Sequence, residues 1–315
     1  MVGLPQTVSP TIAAIEAAYE AEQEGRFQRR LSGSIIGKAC ERAIWYIFRW
    51  AHLPERFEGQ KLRLFETGHL EEARAVRSLA KAGVEVSDRD PATGEQWEFT
   101  ALDGHFVVKL DGRATGIKEA PKAEHVVGVK THNDKSFQQL KRHGIAVSKP
   151  EHMAQAQSEM HCSGIHRFFY YAKNKDTDEI YQGADMRIHY DAAAALALMA
   201  KAERIKEANA APPRISDDPE FFQCRWCNSH AVCHGGQPAL RNCRTCLHAS
   251  PVSGGQWDCA FHDRLLTPAD QRAGCPNHLY LPSLVAGEQI DADEATQTVT
   301  YRMPDGSTWV DGGWS

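Results

Sequence analysis

No stretch of this chain stays apolar long enough to span a bilayer, so a transmembrane helix is excluded and no membrane partner is expected. The opening run M-V-G-L-P-Q-T-V-S-P has neither a basic n-region nor an apolar h-region. No signal peptide is visible, and an intracellular, cytoplasmic protein is expected. An excess of positive charge is missing too: 36 Lys and Arg face 41 Asp and Glu, a net charge of −5. The chain is therefore no polycation, and any nucleic-acid surface must be local. Internal repeats are absent. With 315 residues there is room for one large domain and a small one, or for two domains.

The chain does have cysteine. Nine cysteines in a reducing compartment read as metal ligands rather than disulfides. Cys40, Cys224, Cys227 and Cys233 form one set, with a C-x2-C-x5-C box and one distant partner. That pattern suits an iron–sulfur cluster of the 4Fe-4S kind, which would tie the N-terminal part to the end of a catalytic core. Zinc held by the three clustered cysteines and His230 or His234 is the rival reading. Cys243, Cys246, Cys259 and Cys275 form a second set with the spacing of a small zinc module, in which His262 or His278 could replace one cysteine. Cys162 is left over and reads as a small core residue.

The hydrophobic pattern alternates between helix and strand periods. Residues 11–30, Ser34 to Ile47 and Leu62 to Ala82 read as helices, the second carrying Cys40 on its inner face and the third ending at Gly83. Strand signals follow at 84–86, 97–100, 106–110 and 113–117. Val126-Val127-Gly128-Val129-Lys130 reads as a buried strand whose tip reaches a site. Helices are expected over 134–143 and 151–163, a strand pair over 167–173 and 179–188, and a long helix from Asp191. Beyond Gln237 the composition turns to Cys, Gly, Pro and His. This tail looks too polar to fold on a hydrophobic core alone, so metal would stabilise it. The last segment reads as a hairpin with a Pro-Asp-Gly turn.

Four pieces then occur in order: Gly68-His69, Asp111-Gly112, Lys130 and Gln155. Phosphodiester cleavage needs a divalent cation, Mg²⁺ or Mn²⁺, to neutralise phosphate and acidify water. A carboxylate at one strand end beside a strand ending in lysine places both groups at one sheet edge. There the lysine would orient water and stabilise developing charge. Together with the cysteine spacing, this set resembles the RecB-like branch of the PD-(D/E)xK nucleases. More narrowly, it resembles the iron–sulfur members found in CRISPR adaptation and helicase–nuclease systems and related phage exonucleases. The resemblance runs from about Cys40 to Cys233. It implies an α/β fold with an αβββαβ core and flanking helices, DNA as substrate, and His69 and Asp111 as metal ligands. It also gives Lys130 the catalytic-lysine role and Gln155 a helix-motif role.

The chain departs from that family pattern at Gly128, where an acidic residue is expected two positions before the lysine. Glu159, one helical turn after Gln155, is the candidate replacement ligand, ahead of Glu66 and Glu124. The resulting expectation is a nuclease domain over 1–236 closed by an iron–sulfur site, and a zinc module with a terminal hairpin over 237–315. Its work would be trimming or processing DNA ends in recombination, repair or phage DNA metabolism in a bacterial host, with a recombination or repair protein as a further partner. Lys130, Lys135, Lys141, Arg142 and Lys149 would hold phosphates, as would Arg241, Arg244, Arg264 or Arg272 in the tail. The alternative that Gly128 motivates is a catalytically silent DNA-binding module of the same fold.

Overall fold

The computed structural model describes residues 9–23 and 27–313. The Ala- and Glu-rich start forms α1 (Pro10–Glu22), shorter than the helix expected over 11–30; residues 24–26 of that stretch lie outside the described residues. After β1 (Leu31–Ser32) comes the single turn α2 (Gly33–Ile36), then α3 (Glu41–Phe48). The continuous helix expected from Ser34 to Ile47 is thus broken. A Cβ on Gly37 would lie 2.8 Å from Glu151 Cα and 2.9 Å from Ala154 Cβ, so the chain turns where it touches a later helix. Cys40 is the extended N-cap residue of α3, at φ −85° and ψ 107°, and does not project from the helix body. α4 (Gly59–Lys81) follows and stops ahead of Gly83, whose φ of +74° suits glycine.

Next come β2 (Glu85–Ser87), β3 (Glu98–Ala101), β4 (Phe106–Lys109), β5 (Gly112–Thr115) and β6 (His125–His132). α5 (Asp134–Ser148) starts where the Asn133 side chain accepts the Ser136 N–H at 2.9 Å. α6 (Pro150–Ser163) starts on proline, and β7 (Arg167–Asn174) and β8 (Arg187–His189) complete this part. One sheet has the order β1-β4-β3 and the other β2-β5-β6-β7-β8. β6 and β7 run parallel, and α5 and α6 supply the crossover such a pair requires. The apolar run of β6 is buried on both faces. Val127 and Val129 pack with Ala75 and Leu79 of α4, while Val126 packs with Phe137, Leu140 and Ala156 of α5 and α6. The strand expected over 179–188 is mostly a loop. It touches β7 at the Lys173–Ile180 bridge, and Asp185 turns away to accept the Ile145 N–H at 2.6 Å. Among the described residues no helix is long and apolar enough to cross a membrane.

α7 (Ala192–Glu207) is capped by Asp191, and the one-turn helices α8 (Phe222–Arg225) and α9 (His230–Cys233) carry the first cysteine box. The tail builds a sheet of β9 (Ala249–Val252), β10 (Gln256–Cys259) and β11 (Arg264–Leu266), then α10 (Pro268–Ala273). A last sheet of β12 (Glu288–Asp293), β13 (Thr298–Arg302) and β14 (Thr308–Gly312) contains the terminal hairpin. The tail also has a hydrophobic core, which it shares with the N-terminal half. Trp257, Leu266 and Leu281 pack in one cluster with Trp45, Phe48 and Ile205. Arg244 lies in this junction at 2% exposure, stacked 3.9 Å over Trp50, so it cannot reach a phosphate. Arg264 pairs with Asp270, and Arg241 donates to the Cys275 and Pro276 carbonyls.

Candidate active site

The chain passes from the three-stranded sheet to the five-stranded one between β4 and β5, and Asp111 occupies that passage. Its Oδ2 accepts the backbone N–H of Val129 at 2.8 Å, fixing the carboxylate against β6 one residue before Lys130. Lys130 is half-buried and, by strand alternation, shares the α6-facing side of β6 with Gly128. Across from it, α6 contributes Gln155, whose Nε2 donates to Glu159 Oε1 at 2.6 Å. Glu159 is 2% exposed. α4 contributes His69 and Glu72, with His69 Nδ1 3.6 Å from Glu72 Oε1. His69 is largely exposed.

These groups meet at a cleft of about 520 Å³ whose lining includes His69, Glu72, Asp111, Gln155 and Glu159. Its electrostatics are those of carboxylates held too close together. Burial, and then the Asp111 charge, push Glu159 up to about 8, while Lys130 and the Gln155 hydrogen bond pull the other way. Burial and Asp111 also raise Glu72, against the opposing pull of His69 and Lys130. Lys130 therefore lies within electrostatic reach of carboxylates from both helices.

The sequence-derived residues His69, Asp111, Gln155 and Glu159 line one cleft, whereas Lys130 is not among its lining residues and reaches Glu72 and Glu159 electrostatically. Glu66 and Glu124 are engaged elsewhere: Glu66 accepts from the Tyr19 hydroxyl at 2.6 Å, and Glu124 pairs with Arg113 at 2.7 Å. Glu72 was not singled out from the sequence, although its place three residues after His69 on a helix puts both on one face. Arg29, Arg30 and Lys109 at the cleft were missed as well. Arg30 and Lys109 share Glu98, at 2.8 and 3.3 Å. On α5, Lys141 pairs with Glu179 and Lys149 donates to the Ser136 hydroxyl, which leaves Lys135 and Arg142 exposed on that helix.

Gly128 has no room for a side chain. A Cβ there would sit 2.3 Å from Phe168 Cζ, so that ring fills the place a carboxylate would take. Glu159 supplies a carboxylate near Asp111 from the neighbouring helix instead.

The cysteines are all free thiols. Cys40, Cys224, Cys227 and Cys233 line one small cavity together with His230 and His234. Cys243, Cys246, Cys259 and Cys275 line another with His248 and His278, while His262 is not among its lining residues. His248 Nε2 and His278 Nδ1 are buried without a hydrogen-bond partner among the described residues. Cys162 packs against the main core, as read from the sequence.

Among the described residues, no three His, Cys, Asp or Glu side chains are grouped as a ready-formed metal site. The donor chemistry nevertheless fits. The cleft offers hard carboxylate oxygens with one imidazole, and each cysteine cavity offers four soft thiols.

No family model matches the chain, and no curated protein does. Among solved structures it is similar to an alkaline exonuclease (LHK-Exo) from Laribacter hongkongensis. The overlap has 15% identity and a TM-score of 0.39 and covers 60% of this chain and 90% of that one. The same exonuclease in complex with dAMP overlaps with a TM-score of 0.38 at 15% identity, covering 61% and 90%. The structure of SSO0001 overlaps with a TM-score of 0.39 at 13% identity, covering 72% and 96%.

Proposed function

We propose that this chain is a divalent-metal-dependent deoxyribonuclease of the PD-(D/E)xK type that trims or processes DNA ends. One observation carries the reading: Asp111, Glu72 and Glu159 converge from a strand junction and two helices on one cleft beside Lys130. Burial and the Asp111 charge raise Glu72 and Glu159, and a cation placed among these carboxylates would favour their charged forms. Asp111, Glu159 and His69 would hold Mg²⁺ or Mn²⁺, with Glu72 as a further carboxylate. Such an ion neutralises phosphate charge and acidifies water. Lys130, held half-buried on β6, stabilises charge developing on the phosphate. Gln155 orients Glu159 through its 2.6 Å hydrogen bond. Arg29, Arg30 and Lys109 border the same cleft and suit the flanking phosphates, joined by the exposed Lys135 and Arg142 of α5.

In this reading residues 1–236 carry the nuclease site and 237–315 a docked module. Cys40, Cys224, Cys227 and Cys233 would hold a 4Fe-4S cluster, which spans two segments far apart in sequence, as a structural staple would. Cys243, Cys246, Cys259 and Cys275 would hold zinc, with the unpaired nitrogens His248 Nε2 and His278 Nδ1 beside them. An intracellular role in recombination, repair or phage DNA metabolism follows from the sequence resemblance.

The test is anaerobic purification, assay of iron, sulfide and zinc, and incubation with end-labelled single- and double-stranded DNA in Mg²⁺ or Mn²⁺. The parent is expected to cleave. Asp111→Ala and Lys130→Ala should each lose about 10²–10³-fold or more in rate, the scale of removing a transition-state charge partner. Full activity in either variant would overturn the mechanism.

A further inference from the structure

Between β6, α5 and α6 lies a partly buried chain of polar groups that the proposed mechanism does not use. Lys149 Nζ donates to Ser136 Oγ at 2.7 Å, and Ser136 Oγ lies 3.2 Å from His132 Nδ1. His132 Nε2 lies 3.3 Å from the Tyr170 hydroxyl, and that hydroxyl lies 2.6 Å from His152 Nδ1. The elements holding it are β6, β7, α5 and the start of α6. Lys130 lies two residues before His132 on the same face of β6 and acts electrostatically on both His132 and His152.

Two observations fix the direction of this chain. An ammonium has donors only, so Ser136 Oγ accepts from Lys149. Among the described residues the serine proton then has one acceptor within reach, His132 Nδ1. That leaves the proton of His132 on Nε2, donating to the Tyr170 oxygen. The lengths agree independently. The His132 contact is long, as for a weak N–H donor, and the His152 contact is short, as when a phenol hydroxyl donates to nitrogen. His152 Nδ1 is thus an acceptor, and its one proton sits on Nε2. Both rings stay neutral. Burial first, then Lys149 and Lys130, hold His132 down to about 4. Burial first, then Lys130, His132 and Lys149, hold His152 down to about 3.

His152 Nε2 has no hydrogen-bond partner among the described residues, and it is not among the fully buried unpaired atoms. His152, Gln155 and Glu159 lie at i, i+3 and i+7 on one stripe of α6, so the ring stands on the active-site side of that helix. His152 on this stripe of α6 and Lys130 on the α6-facing side of β6 are within electrostatic reach of each other, and a neutral N–H donor near an ammonium suits an anion. We propose that His152 Nε2–H and Lys130 form a phosphate-binding pair for the DNA backbone, with the Lys149–Ser136–His132–Tyr170 chain locking the His152 tautomer. This rests on the nuclease reading of the cleft.

Two measurements on the full chain test it. Long-range ¹H–¹⁵N spectra, assigned with His152→Gln and His132→Gln, should show both rings neutral and protonated on Nε2 at neutral pH. A His152 ring protonated on Nδ1, or doubly protonated, overturns the lock. Binding of a labelled duplex with a single-stranded end is then measured in EDTA, so that cleavage plays no part. His152→Leu should weaken binding about tenfold, the scale of one hydrogen bond to a charged group. His152→Gln, which keeps an N–H near the place of Nε2, should stay within about twofold, and the salt slope should be unchanged because a neutral ring releases no counterion. His152→Leu that binds like the parent overturns this inference alone, while cleavage by Lys130→Ala still decides the nuclease reading. A parent with no DNA affinity overturns both.

Discussion

The molecule gathers like charges in two places, with opposite outcomes. At the junction of the tail and the N-terminal half, Arg49 and Arg244 are 1% and 2% exposed, and neither has a carboxylate partner among the described residues. Carbonyl and amide oxygens accept from them instead, although Arg49 Nε is buried without a hydrogen-bond partner among the described residues. Arg49 donates to Ala208 at 2.9 Å, and Arg244 donates to Arg29 and Phe48 at 2.9 Å and to the Gln271 side chain at 2.8 Å. Aromatic faces of Trp45, Trp50 and Trp257 enclose both. In the cleft, Asp111, Glu72 and Glu159 are drawn together, and burial followed by the Asp111 charge raises both glutamates. Charges that serve structure are closed off by fixed dipoles, whereas charges that serve chemistry are left short of partners and open to a cleft.

Removing a charge should therefore damage the first place and relieve the second. Arg244→Ala strips three hydrogen-bonded carbonyl or amide oxygens and three aromatic faces of their partner. It should cost about 3–5 kcal/mol of stability, read from urea unfolding. A change below about 1 kcal/mol would mean the junction does not depend on its buried cations. Glu159→Gln should do the reverse. The carboxyl keeps its proton in the folded protein up to about pH 8, while in the unfolded chain it ionises near 4.5. Between these values the folded state binds the extra proton, so parent stability falls as pH rises through that window, by on the order of 5 kcal/mol. The glutamine variant should lose that fall, so melting curves at pH 5 and pH 8 in EDTA should lie closer together than in the parent. An unchanged pH dependence would show that Glu159 is not the strained carboxylate.

How far this contrast was legible beforehand depends on what fixes each residue. Asp111, Lys130 and Gln155 stood out because they sit at the ends or on one face of strongly patterned elements, and periodicity places such residues well. Glu72 did not, because α4 carries several acidic residues and only packing against β6 selects which one meets Asp111. Arg244 read as a surface cation because nothing local marks it; Phe48 and Trp50, which face it, are nearly 200 residues away in sequence. The tail read as coreless because its apolar partners Trp45 and Phe48 lie some 200 residues earlier. Cys40 was placed within a helix because periodicity continued across Gly37, and the break there is imposed by contact with α6.

The sharpest form of the contrast is Gly128, where the cleft lacks a carboxylate. Gly128→Asp would place its Cβ 2.3 Å from a ring atom of Phe168, a side chain 2% exposed in the core between β6, α5 and α6. The strain should cost about 1–3 kcal/mol, read from thermal or urea unfolding, before any effect on activity. Phe168→Ala alone should destabilise by a cavity, yet it makes room for the new side chain. The double variant should therefore be less unstable than the sum of the two single ones, by about 0.5–3 kcal/mol of coupling between groups in contact. Additive losses would show that Phe168 does not occupy the missing ligand's place. A coupled pair with greater Mg²⁺-dependent cleavage than Phe168→Ala alone would show that Glu159 fills the role only in part.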